Sequence, residues 1–190
     1  MELNGSAGGH VIRRTVIAYW LMPSEPARGS FQQIINDLAR RYDAPVFEPH
    51  VTIHVGADQT DAPDKALRDA ANQCKPIGLT PLGIDQSDEF IKTLFVQFSM
   101  SEELRKISGI VRQSGNDSSH YQLKPHLSLL YQNLPATGRR ELAASINVSL
   151  SEVIFDAIKA VRCVLPTECR ADVEAWNILA AASLSDDCIR

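Results

Sequence analysis

The sequence predicts two related lobes of strands and helices facing each other across a cleft. Three observations carry this. The order strand, helix, strand, helix, strand can be traced twice along the chain with similar spacing. The segments FEPHVTIHV and LKPHLSLLY share a Pro-His-apolar-hydroxyl-apolar pattern, and their histidines, His50 and His126, lie 76 residues apart. The same shift carries Trp20, in the strand before the first helix, to Val96 in the strand before the third.

Each element follows from local chemistry. Thr15–Met22 is β-branched and aromatic and ends at Pro23, which reads as a strand. Phe31, Ile34, Ile35 and Leu38 recur at helical spacing through Arg41, and Pro45 ends that element. Val46–Gly56 alternates like a strand. A helix over Asp61–Lys75, capped by Thr60 or Asp61, stops at Pro76. Ile77–Ile84 reads as a strand, Asp85–Glu89 as a polar turn and Phe90–Phe98 as another strand. A helix follows from Ser101 to Gln113, then a polar loop over Ser114–Gln122, a strand over Leu123–Gln132 and a helix over Thr137–Ile146. Leu150–Val164 and Glu174–Ser183 read as closing strands.

Composition bounds the function. The 190 residues are 44% hydrophobic and 22% charged, the balance of a globular chain. No run approaches the ~20 apolar residues that span a membrane, and the first ten residues lack a basic-then-apolar leader, which points to the cytoplasm. A net charge of −4 and a pI of about 5.7 disfavour a long nucleic-acid track but leave room for a local basic pocket. Cys74, Cys163, Cys169 and Cys188 form no CxxC pair, so free thiols are expected and a zinc site is not.

In a strand, residues two apart share a face. His50 therefore projects with Thr52, and His126 with Ser128, each pair otherwise set in an apolar strand. Burying both pairs without purpose would cost desolvation, which a shared polar cleft removes. Two imidazoles and two hydroxyls suit hydrolysis of a phosphodiester. One neutral histidine takes a proton from water, the other gives one to the departing oxygen, and the hydroxyls hold the non-bridging oxygens. The scheme needs no metal and no cofactor.

His50-Val-Thr52 and His126-Leu-Ser128 resemble the paired H-x-T/S motifs of the two-histidine (2H) phosphoesterases. Trp20-Leu-Met-Pro23, Phe47-Glu-Pro-His-Val-Thr52 and Pro125-His-Leu-Ser-Leu-Leu-Tyr131 are most similar in wording to the cyclic phosphodiesterases of that superfamily. The resemblance spans Val16 to Ser183. It implies an α+β fold, a single bilobal catalytic domain over residues 1–190, with antiparallel sheet and outer helices around a central cleft. Residues 1–14 are then a flexible lead-in and 185–190 a frayed tail. It further implies metal-independent opening of a small cyclic phosphate, ADP-ribose 1″,2″-cyclic phosphate or a nucleoside 2′,3′-cyclic phosphate, to the 1″- or 2′-phosphate, by a monomer. His50 and His126 are then the catalytic pair, Thr52 and Ser128 the phosphate holders, Tyr131 a further member of the phosphate site, and Trp20 a border of the nucleoside pocket. The family order makes His126 the base and His50 the acid, although near-symmetry permits the reverse. Alternatives are a 2H enzyme acting on RNA 2′,3′-cyclic ends or 2′–5′ linkages, and a non-catalytic nucleotide-binding module.

Other residues compete for roles. His54 shares a face with His50 by alternation, but four strand residues span about 13 Å, too far for one ion, so it reads as a groove-end or structural histidine. Five residues past His126, Tyr131 falls on the opposite face by strict alternation and reaches the cleft only through a twist or a bulge near Gln132. Phe90 and Lys92 could meet a base and a phosphate, Lys124 could add positive potential beside His126, and His120 could cover the cleft from its loop. His10 carries no role.

Overall fold

The computed structural model describes residues 12–59, 62–115, 119, 121–148 and 151–185. Its frame is one eight-stranded antiparallel sheet: β1 (Arg14–Pro23), β2 (Val51–Ala57), β3 (Ile77–Leu79), β4 (Pro81–Gln86), β5 (Leu94–Phe98), β6 (His126–Leu130), β7 (Val153–Leu165) and β8 (Asn177–Ser183). The order is β3-β7-β1-β2-β6-β5-β4, with β8 beside β7. The two halves meet at a single bridge, Val51 opposite Leu127. Each of these residues follows a motif histidine, so the pseudo-two-fold axis of the repeat passes between them.

The lobes exchange strands. β4, which closes the first repeat, pairs with β5 of the second, while β7 of the second repeat returns to pair with β1 of the first. The symmetric core is therefore β7-β1-β2 against β6-β5-β4, and β3 and β8 extend only the β7 edge.

Among the described residues five α-helices accompany the sheet: α1 (Ala27–Tyr42), α2 (Ala62–Gln73), α3 (Glu102–Ser114), α4 (Ala136–Ser145) and the short α5 (Arg170–Glu174). Phe31, Ile35 and Leu38 of α1, Leu67 of α2 and Leu104, Ile107 and Val111 of α3 pack with Ile17, Tyr19 and Leu21 of β1 in the main core. The alternate β1 residues Val16, Ala18, Trp20 and Met22 form a smaller cluster with Val161 and Cys163. That second face carries the cleft. α3 begins with the Ser101 hydroxyl accepting from the Leu104 N–H at 3.1 Å, a side-chain N-cap.

Several expected boundaries shift. The strand expected from Val46 starts at Val51, and that expected from Leu123 starts at His126. Pro49 and Pro125 bring no N–H to a ladder, so pairing begins just past each. The stretch Ile77–Ile84 divides, because β3 pairs with β7 and β4 with β5. Phe90–Lys92 form a 3₁₀ turn before β5, held where the Thr93 hydroxyl bonds the Phe90 carbonyl at 3.0 Å and the Gln132 carbonyl. α5 takes Arg170–Glu174, and the strand expected from Glu174 starts at Asn177. Cys74, Cys163 and Cys169 are free thiols, and no described helix is long and apolar enough to cross a membrane. His10, Thr60, Asp61, His120 and Cys188 lie outside the described residues.

Candidate active site

Each histidine enters its strand straight after a proline and turns Nδ1 back onto its own chain. His50 Nδ1 lies 2.6 Å from the Glu48 carbonyl, and His126 Nδ1 lies 2.8 Å from the Lys124 carbonyl. A carbonyl only accepts, so Nδ1 carries the proton in both rings. Nε2 is left as the nitrogen free for chemistry, and both rings line one cavity of about 590 Å³.

A matched pair of β-bulges decides what else faces that cavity. Tyr19 pairs with His54 but Trp20 with Thr52, which leaves Ile53 as an extra residue in β2. Leu94 pairs with Leu130 but Phe95 with Ser128, which leaves Leu129 extra in β6. Both bulges fall three residues after the histidine, and each reverses the alternation beyond it. The cleft-facing sets thus become His50, Thr52 and Val55 in one half and His126, Ser128 and Tyr131 in the other, all six lining the cavity.

Two expectations change accordingly. His54 does not share the face of His50: it sits opposite Tyr19 of the main core, buried and outside the cavity lining. Tyr131 reaches the cleft through the bulge at Leu129, upstream of the Gln132 position expected, and stacks on Phe47 with centroids 3.8 Å apart. The match of Trp20 with Val96 is also corrected. Val96 lies in the main core, and the residue paired opposite Ser128, as Trp20 is opposite Thr52, is Phe95. Phe95 precedes Ser128 by 33 positions and Trp20 precedes Thr52 by 32, so counting by 76 overshoots by one.

The two halves differ in how they clothe their imidazole. Trp20 stacks flat on His50, with centroids 3.8 Å apart and planes 12° off parallel, and Trp176 meets the same ring edge-on. His126 has one aromatic neighbour among the described residues, Phe95 in a T-shaped contact with centroids 5.5 Å apart, and is half-buried. Burial pushes the His50 pKa down to about 4 against the pull of its Glu48 carbonyl bond, and His126 and Lys159 lower it further. Burial also lowers His126, with the Lys124 carbonyl opposing, Lys92 adding to the fall and Glu89 resisting it.

The hydroxyls differ too. The Ser128 hydroxyl donates to the Ile91 carbonyl at 2.8 Å, and burial raises the pKa of the Tyr131 phenol beside it in the cavity wall. The Thr52 hydroxyl has no hydrogen-bond partner among the described residues; Tyr121 donates to the Thr52 carbonyl at 3.0 Å. Lys92 and Lys124 both line the cavity, with Lys92 Nζ 4.5 Å above the Phe95 ring. Trp176, from the corner between α5 and β8, was not a candidate in the sequence because it stands outside the repeated unit. Its buried Nε1 has no hydrogen-bond partner among the described residues, and its ring packs edge-on to Trp20 at 5.0 Å.

The family model for cyclic phosphodiesterase-like proteins matches residues 15–184. The chain belongs to the cyclic phosphodiesterase-like family. It is accordingly a phosphodiesterase of the 2H superfamily. A cyclic phosphodiesterase of Arabidopsis thaliana is 25% identical over 178 residues, covering 92% of this chain and 98% of the relative. The family's fold recurs in solved structures. E. coli LigT complexed with 3′-AMP superposes with a TM-score of 0.58 at 14% identity, over 89% of this chain and 97% of LigT. A Thermus thermophilus protein, TT0787, does so with a TM-score of 0.54 at 14% identity, over 89% and 97%.

Proposed function

We propose that this cyclic phosphodiesterase-like chain opens small cyclic phosphates, nucleoside 2′,3′-cyclic phosphates or ADP-ribose 1″,2″-cyclic phosphate, by two-histidine acid–base catalysis at His50 and His126. One observation carries the reading: two imidazoles, each with Nδ1 tied to a backbone carbonyl, leave both Nε2 atoms to one cavity that also holds Thr52 and Ser128. A nucleotide binder needs charge and hydroxyls, but not two rings locked in the same tautomer. E. coli LigT, which shares the fold, is seen with 3′-AMP and with ATP, in keeping with a small nucleotide here.

Water attacks phosphorus as one Nε2 takes its proton; the bond from phosphorus to one ring oxygen breaks, and the other Nε2–H protonates that oxygen. Burial distinguishes the partners. His50, under its indole cover, is held neutral and suited to take the proton. His126, less covered than His50, is the easier ring to hold as imidazolium beside an anionic phosphate, with Lys92 opposing that charge and Glu89 favouring it. We therefore assign His50 as base and His126 as acid, the reverse of the order the resemblance implies. The Thr52 hydroxyl donates to a non-bridging oxygen, and Ser128 does so once it releases the Ile91 carbonyl.

The test is hydrolysis of 2′,3′-cyclic AMP and ADP-ribose 1″,2″-cyclic phosphate in EDTA, with product isomers resolved, for wild type, His50→Ala and His126→Ala. Metal-free turnover to the 2′- or 1″-phosphate, lowered about 10²- to 10⁴-fold in each variant, is expected. Binding of AMP without any turnover would overturn the assignment.

A further inference from the structure

The two halves carry opposite charges at matching positions. The residue whose carbonyl holds the histidine Nδ1 is Glu48 in the first half and Lys124 in the second. Trp20 and Phe95, the aromatics opposite Thr52 and Ser128, are paired on their outer sides with Lys159 of β7 and Asp85 of β4. In the first half the two charges meet: the Lys159 ammonium donates to the Glu48 carboxylate at 2.5 Å. In the second half no such pair forms among the described residues. There the Asp85 carboxylate accepts from the Gln86 N–H at 2.8 Å, and Lys124 lines the cavity.

The pair reaches across β1, because Lys159 belongs to β7 and Glu48 to the segment that leads into β2. Glu48 stands before the ladder, which begins at Val51, so no strand pairing fixes its peptide. Its neighbour Phe47 is held from two sides, by the Gln32 amide of α1 at 3.1 Å on its carbonyl and by the stack on Tyr131. The Glu48 side chain has Lys159 alone among the described residues. With side chains 21% and 46% exposed, the pair adds little to stability, so its effect is geometric. That geometry matters because a neutral imidazole has two tautomers, and only the one with its proton on Nδ1 has a bare Nε2 to accept from water. A Glu48 peptide free to rotate would release Nδ1 and let the proton sit on Nε2.

We propose that Lys159 is a positioning residue for the reaction: through its ion pair with Glu48 it holds the Glu48 carbonyl on His50 Nδ1 and keeps Nε2 of that ring bare toward the cavity. This rests on the proposed reaction, in which His50 is the base. The reversed charges of the second half leave His126 without such a strut and give Lys124 to the cleft.

Imidazole nitrogen NMR and steady-state kinetics test it on wild type, Lys159→Met, Lys159→Arg, Glu48→Ala and the double variant Glu48→Ala/Lys159→Met. At about pH 7.5 both rings are neutral, and His50 of wild type should show a protonated Nδ1 and a bare Nε2. Lys159→Met should turn His50 into a mixture of tautomers while His126 keeps its pattern, and kcat on 2′,3′-cyclic AMP should fall about tenfold. Lys159→Arg keeps the pair and should restore both. Glu48→Ala cuts the same strut from its other end, so it should match Lys159→Met, and the double variant should be no worse than either. His126, read in the same spectra, reports any general loosening of a variant. An unchanged His50 tautomer in Lys159→Met, or single losses that add in the double variant, would overturn the proposal. A tautomer shift in Lys159→Met beside a wild type that turns over no cyclic phosphate would instead count against the reaction.

Discussion

Acid should weaken this fold through His50. The ring is 7% exposed, and its pKa falls from an ordinary 6.5 to about 4 because burial disfavours the imidazolium. Between those two values the unfolded chain binds a proton that the folded chain refuses. Stability from this group is therefore complete above about pH 6.5 and is lost as pH falls toward 4. At about 1.4 kcal/mol per pH unit, the loss comes to about 3 kcal/mol, a large share of the ~5–15 kcal/mol that holds a domain. Urea unfolding of wild type and His50→Asn at intervals from pH 7.5 to 4 reads it directly. The stability of wild type relative to the variant should drop by about 3 kcal/mol across that range. Parallel curves, with a constant difference between the two proteins, would refute the reasoning, because His50 would then titrate alike folded and unfolded.

Trp20→Leu strips the stacked indole, so the His50 midpoint should climb from about 4 toward 6.5; an NMR titration of the ring proton checks this, and an unmoved midpoint would assign the burial to other neighbours. Thr52→Val removes the hydroxyl for which the structure records no competing bond and should lower kcat by about 10²-fold, with Thr52→Ser largely restoring it, read by steady-state rates. Tyr131→Phe keeps the stack on Phe47 but removes the hydroxyl of a ring that lines the cavity; kcat/KM should fall about tenfold while Tm moves only a few degrees, measured by kinetics and thermal melts.

What was legible in the sequence was periodic. Pro49-His50 and Pro125-His126 marked the strand entrances, and hydroxyls two residues on shared the histidine face because that step precedes the bulges. Alternation fails only where a ladder slips, and slippage at Ile53 and Leu129 depends on pairing with Tyr19–Trp20 and Leu94–Phe95, partners distant along the chain. That is why His54 was placed on the wrong face and Tyr131 could be reconciled only by an assumed bulge. Trp176 carries no local signal at all: it reaches His50 because β8 lies along β7, a pairing that nothing in Glu174–Ser183 announces.

The exchange of strands between repeats bears on how the enzyme comes into being. During synthesis, the first repeat emerges with β1 and β2 but without β7, so the edge of β1 stays bare until β7 has left the ribosome. β4 must likewise wait for β5 from the second repeat. Neither motif histidine can be set in a finished half before the other half exists. Docking of the last long strand onto the first completes the wall that carries Trp20, and with it the cover over His50. Catalytic competence is thus acquired in one late step, and a nascent or truncated chain has no partly working site to expose.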